Sequence, residues 1–190
     1  MQRRKSFREV FEENYYAVKV EKGGRKGNKI RYVYSGPWYF WDLQEKQLKK
    51  EKKLLLSISL IGIFLMIFSG AQVVKANTDR FVAILSLLAL SIHILELCAV
   101  LKFFFSKNKV TRMVWKEVDF VLGSLVLVRA ILQLAVCVVS VWYAGINYRE
   151  SIGWLTAVCY GLCCGLAFFI SKRYRRIGFY TEKNESCNQD

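Results

Sequence analysis

The 190-residue chain is 54% hydrophobic yet carries a formal net charge of +14, a pairing that an ordinary soluble fold does not sustain unless the two properties are segregated along the sequence. They are segregated: residues 1–53 are polar and basic, and four apolar runs follow at about 54–74, 81–105, 119–144 and 152–170. The basic charge falls at the ends of those runs, where membrane topology demands it, so a nucleic-acid-binding role is set aside.

Residues 1–53 hold more pattern than their charge suggests. "NYYAVKV", "EKGGRKGN" and "KIRYVYSG" predict two alternating strands around a glycine-rich turn, a hairpin that needs further support because two strands alone are marginal in water. "GGRKG" lacks the spacing and the following helix start of a phosphate loop. "GPWYFWDL" then supplies the only proline and four consecutive aromatics, Trp38 to Trp41. These residues either lie in a headgroup region or form a small core under the hairpin. "QEKQLKKEKK" has strong helix formers and no breaker, and it is expected to continue into the first apolar run as one helix.

Each apolar run reaches the ~17 to 25 residues that a helix needs to cross a ~30 Å hydrocarbon core. The first and fourth contain no charged residue, which excludes a soluble bundle whose helices each keep a polar face. With a hydrophilic stretch ahead of it, the first run is expected to act as its own signal-anchor. Lysine and arginine set the direction: fifteen lie in residues 1–53, five in 102–117 and five in 171–190, against two in 75–80 and one in 145–151. The positive-inside rule places both termini and the middle loop in the cytoplasm. Trp38, Trp41 and Trp115 then fall near the inner interface, and Trp142, Tyr143, Tyr148 and Trp154 near the outer one. On that topology the sequon at Asn184 is cytoplasmic and unused.

Lys49, Lys50, Lys52 and Lys53 before the first run, and Lys172, Arg173, Arg175 and Arg176 after the fourth, are expected to attract anionic lipid headgroups. Gly153, Ala157, Gly161 and Gly165 recur every four residues and form a small face suited to close helix packing, either within the bundle or between two copies or a membrane-protein partner. Of six cysteines, Cys98, Cys137, Cys159, Cys163 and Cys164 lie in the runs and Cys187 near the end; none makes a C-x-x-C pair. They are read as small packing residues.

The second run contains the only histidine, His93, and Glu96; the third contains Arg129 and Gln133. Glu96 precedes the middle of the connecting loop, near residue 112, by 16 residues and Arg129 follows it by 17, so the two charges stand at one depth. His93 and Gln133 fall about one turn farther away. Since each lone charge costs ~2.5–3.5 kcal/mol in a bilayer, the sequence predicts a Glu96–Arg129 ion pair beside a His93–Gln133 contact. H-x-x-E supplies only two candidate ligands, short of a zinc site, and no nucleophile-and-base set assembles at matching depths.

The sequence therefore predicts an all-α membrane protein. It is a four-helix transmembrane bundle (54–171) with a cytoplasmic amino-terminal hairpin region (1–53) and a cytoplasmic tail (172–190), set in the cell membrane. The expected role is non-enzymatic, without cofactor or metal, working as an accessory, regulatory or immunity-type factor through partner and lipid contacts. The alternative is a small transporter or channel component in which Glu96 and His93 relay protons or ions.

Overall fold

The computed structural model describes residues 7–20, 29–146 and 151–182. Helix α1 (Phe7–Asn14) leads into strand β1 (Tyr15–Val20), which pairs antiparallel with β2 (Lys29–Tyr34), Tyr15 opposite Tyr34. This is the expected hairpin; its glycine-rich turn lies outside the described residues. One face is aromatic, with Phe11 stacked on Tyr15 and Tyr15 edge-on to Tyr34. Gly36 closes the return: a Cβ there would meet Asn14 Oδ1 at 2.2 Å, so only glycine lets the chain pass the buried Asn14.

Strand β3 (Trp38–Trp41) is followed by helix α2 (Glu45–Ala71), the short helix α3 (Lys75–Thr78) and helix α4 (Arg80–Phe105). Strand β4 (Lys109–Val110) and helix α5 (Arg112–Phe120) come next. A π-helical turn (Val121–Leu125) joins α5 to helix α6 (Val126–Ile146), and helix α7 (Ser151–Arg175) and strand β5 (Phe179–Glu182) complete the order. Four helices are long and apolar enough to cross a membrane: Glu45–Ala71, Arg80–Phe105, the continuous Arg112–Ile146, and Ser151–Arg175. As the helix formers before residue 54 suggested, α2 begins well ahead of the apolar run. The long helices close a ring, α2 packing on α4 and α7, and α6 on α4 and α7.

The aromatic run does more than lie at an interface. β3 is the centre of a three-stranded antiparallel sheet, order β4-β3-β5, pairing Trp38 with Glu182, Trp41 with Phe179 and Tyr39 with Val110. Trp41 is buried, with its ring edge-on to Phe103 at 4.9 Å and to Tyr174 at 6.4 Å. Tyr39 stacks on Trp115 at 4.6 Å, and Trp115 meets Phe179 at 4.5 Å. Trp41 is thus core and not a lipid anchor. The tail, for which the sequence predicts no element, continues α7 to Arg175 and then forms β5. The hairpin is tied to this layer where Tyr34 donates to the Pro37 carbonyl at 2.6 Å and accepts from the Arg112 amide at 3.0 Å. Burial pushes the Tyr34 hydroxyl above its ordinary pKa, against the pull of that amide.

Polar links bind the sheet-bearing end of the bundle. Arg173 makes a two-pronged contact with Glu51 at 2.9 and 2.7 Å, Lys52 donates to the Ser106 carbonyl at 2.6 Å, and Lys102 pairs with Glu117. Arg175 donates to the Gly123 carbonyl in the π turn at 2.8 Å. Two residues assigned to headgroups are therefore engaged within the protein: Lys52 is buried against the end of α4, and Arg173, still partly exposed, is held by a carboxylate. At the opposite end Asp79 caps α4 by accepting from the Phe81 and Val82 amides, and it also accepts from the Tyr143 hydroxyl. The Val82 amide and that hydroxyl hold its carboxyl below the usual carboxylate range. Trp142 and Trp154 stand exposed near this end, and Tyr148 lies outside the described residues.

Because Trp41 fills a closed aromatic corner, Trp41→Ala is expected to cost about 3–5 kcal/mol and to lower the thermal midpoint in detergent-resolved size exclusion. Trp142→Ala, on an exposed face, is expected to leave that midpoint nearly unchanged.

Candidate functional site

Midway along the ring, the four long helices turn their few polar groups inward. α4 contributes His93 and Glu96, spaced by three and so on one face, and α6 contributes Arg129 and Gln133, spaced by four. All four side chains are fully buried. Arg129 Nη2 stands 2.9 Å from Glu96 Oε2, the separation of a close ion pair. The N–H vectors miss the carboxylate, however: Arg129 Nε, Nη1 and Nη2 and Glu96 Oε2 make no aligned hydrogen bond among the described residues. The contact is charge on charge with imperfect hydrogen-bond geometry. The distance shows that the charges meet, and the orientation shows that they are incompletely satisfied.

The other carboxylate oxygen accepts from the Ser59 hydroxyl at 3.3 Å, and His93 Nε2 lies 3.2 Å from the Ser59 carbonyl. A carbonyl only accepts, so Nε2 carries hydrogen and donates. The same nitrogen is 3.8 Å from Glu96 Oε1, beyond hydrogen-bond reach. Gln133 sends its amide to Met66 Sδ at 3.4 Å.

The expected His93–Gln133 contact carries no hydrogen bond; each side chain instead bonds to α2. The reason is azimuth: counting residues from a loop gives depth, but not which third helix intrudes. Gly62 makes room for this, since a Cβ there would lie 3.0 Å from His93 Cε1. Cys163 Sγ approaches the Gly62 carbonyl at 3.5 Å and Cys164 Sγ the Ala130 carbonyl at 3.3 Å, weak bonds typical of buried thiols.

Ser59, Gly62 and Met66 were passed over because the first apolar run has no charge to draw the eye. Their signal was available: Leu55, Ser59, Gly62, Met66 and Ser69 lie on the buried stripe of α2, with small or polar Ser59, Gly62 and Ser69 at i, i+3 and i+10 in a run otherwise rich in leucine, isoleucine and phenylalanine.

The small face of α7 divides. Ala157 is buried, with its carbonyl 3.4 Å from Cys137 Sγ, and a Cβ at Gly161 would lie 3.4 Å from the same sulfur. Gly165 faces open space with nothing within 4 Å of a Cβ, and Gly153 is half-buried. The stripe thus meets α6 at Ala157 and Gly161, and faces open space at Gly165. Cys98 is exposed and Cys159 buried; Cys187 and Asn184 lie outside the described residues. Among the described residues no three histidine, cysteine, aspartate or glutamate side chains converge as metal ligands would. Of the basic residues, Lys50, Lys53, Lys172 and Arg176 stand exposed, and exposed Lys49 pairs with Glu45 at 2.7 Å.

No family model matches the chain, and no curated protein or solved structure matches it.

Removing one partner of a buried pair strands the other charge. Glu96→Gln and Arg129→Gln are each expected to destabilise the detergent-solubilised protein by about 3–5 kcal/mol, and the double variant to regain much of that loss. Thermal unfolding of the three variants measures the coupling; additive losses would show that the charges are not answering one another.

Proposed function

We propose that the chain is a multi-pass integral protein of the cell membrane, with both termini in the cytoplasm. It would act as a non-enzymatic accessory, regulatory or immunity-type factor through partner and lipid contacts. The observation that carries this reading is the sealing of its ionisable core. His93, Glu96, Arg129 and Gln133 have no accessible surface, so the groups best suited to chemistry meet neither solvent nor lipid. The exposed, chemically varied surface lies at the sheet-bearing end, where the hairpin turns Ile30 and Tyr32 outward, each 57% exposed. Exposed β-hairpin side chains of this kind suit partner recognition.

Orientation is supported by the charge count together with the sheet. The three basic segments of the sequence meet at one end, through β3, β4 and β5, and the positive-inside rule assigns that end to the cytoplasm. Lys49, Lys50, Lys53, Lys172, Arg175 and Arg176 would hold anionic lipid there. A reporter fused after residue 190 that is active only in the cytoplasm is expected to give signal, and a periplasmic or luminal reporter to stay silent. The reverse result overturns the topology. Replacing Ile30 and Tyr32 by serine is expected to abolish the partner cross-link formed in native membranes without moving the melting temperature.

A proton or ion relay is the second reading, favoured by the incompletely bonded groups in the core. Arg129 Nε and Nη1, His93 Nδ1, Gln133 Oε1 and Ser140 Oγ lack hydrogen-bond partners among the described residues. Arg129, Gln133 and Ser140 share the buried face of α6. Proteoliposomes decide between the two: the sealed core predicts no pH-driven or ion-driven flux above empty vesicles, whereas flux that Glu96→Gln removes without unfolding the protein establishes the relay.

A further inference from the structure

At the sheet-bearing end of α7 the chain carries four cations in five residues, Lys172, Arg173, Arg175 and Arg176, and they are not equivalent. Arg173 is taken by Glu51 and Arg175 by the Gly123 carbonyl. Lys172 and Arg176 are exposed, stand four residues apart, and have no ion-pair partner among the described residues. Two like charges at that spacing repel, and an anion between them removes the repulsion.

The surrounding surface is shaped for such an anion. A hollow of about 140 Å³ lies on one side, bounded by Phe169, Lys172, Arg173 and Arg176. A second hollow of about 390 Å³ lies on the other, where Leu127 and Phe168 meet the same Lys172 and Arg176. The free cations are common to both hollows, and each hollow has an apolar wall on the side of the apolar run. Phe168 and Phe169, 48% and 44% exposed, face outward just before the charges begin. Phosphate-height cations above aromatic, outward-facing walls match the order of a phospholipid, head above tails.

We propose that Lys172 and Arg176 form a headgroup site for a phospholipid with two phosphodiester groups, a diphosphatidyl lipid. One phosphate would sit in each hollow and the acyl chains would lie along Leu127, Phe168 and Phe169. The site rests on the membrane reading above and names the lipid that this reading leaves open. A single-phosphate lipid fills one hollow and leaves the other empty, so the pair of hollows favours the lipid class with two phosphates.

The test is native mass spectrometry of the full chain reconstituted with neutral lipid plus either the diphosphatidyl lipid or a single-phosphate anionic lipid, matched for total charge. Wild type is expected to retain the diphosphatidyl lipid preferentially. Lys172→Ala with Arg176→Ala should weaken retention roughly thirtyfold. Lys107→Ala with Lys116→Ala removes the same charge from exposed positions outside α7 and should change it less than about twofold. Lys172→Gln alone, with size exclusion and circular dichroism as fold controls, serves if the double variant is unstable, and it too should weaken retention. Equal loss in the two double variants, or no lipid preference in wild type, overturns the site. Failure of the chain to enter the bilayer overturns the membrane reading itself and is seen directly by flotation, apart from any lipid preference.

Discussion

Everything in the middle of this protein is arranged around the cost of removing Glu96 and Arg129 from water. A buried charge without a counter-charge costs several kcal/mol, and even a good pair recovers that cost only partly. The neighbouring side chains act as partial replacements for water. The Ser59 hydroxyl bonds one carboxylate oxygen, His93 stands at 3.8 Å from the same atom, and the thiols of Cys163 and Cys164 line the α7 side. All four long helices contribute, so the pair fixes their mutual rotation. The ring of α2, α4, α6 and α7 cannot slip by one residue without stranding a charge.

The second constraint is closure of the sheet-bearing end. Four long apolar helices need not share one layer at their ends, but β3 pairs with strands from the loop after α4 and from the tail, joining segments far apart in sequence. Trp41, Phe103 and Tyr174 form the corner under that sheet, and the Glu51–Arg173 contact spans α2 and α7 beside it. A short antiparallel sheet is weak alone. Laid on the ends of the helices, it gains their packing and gives the hairpin a rigid base.

Sequence legibility followed the range of the physical signal. Four long apolar helices could be read because each run carries its signal over some twenty residues, and the Glu96–Arg129 approach because 1.5 Å per residue converts sequence distance to depth. The His93 partner could not be read, since depth says nothing of azimuth and Ser59 belongs to a helix with no charged landmark. β5, "FYTE", has four residues, too few for alternation to stand out, and it forms because β3 offers an edge. Lys52 and Arg173 read as lipid anchors because a sequence shows charge without showing what answers it: the Ser106 carbonyl for Lys52 and Glu51 for Arg173.

These two constraints meet in the helix Arg112–Ile146, and the π turn lies where they meet. Trp115 and Val118 must face the sheet corner, while Arg129 must face Glu96. The buried positions Val118, Leu122, Val126 and Ala130 return every four residues, whereas an α-helix returns every 3.6. Over those three intervals the excess is about one residue. The π turn at Val121–Leu125 supplies one extra residue and absorbs it. An uninterrupted α-helix that satisfied Trp115 would rotate Arg129 by roughly 100° away from the carboxylate, and one that satisfied Arg129 would pull Trp115 from Tyr39. The Arg175 contact to the Gly123 carbonyl braces that turn from α7. The local departure from α-helical geometry is therefore what allows a closed sheet and a closed charge pair to coexist on one helix.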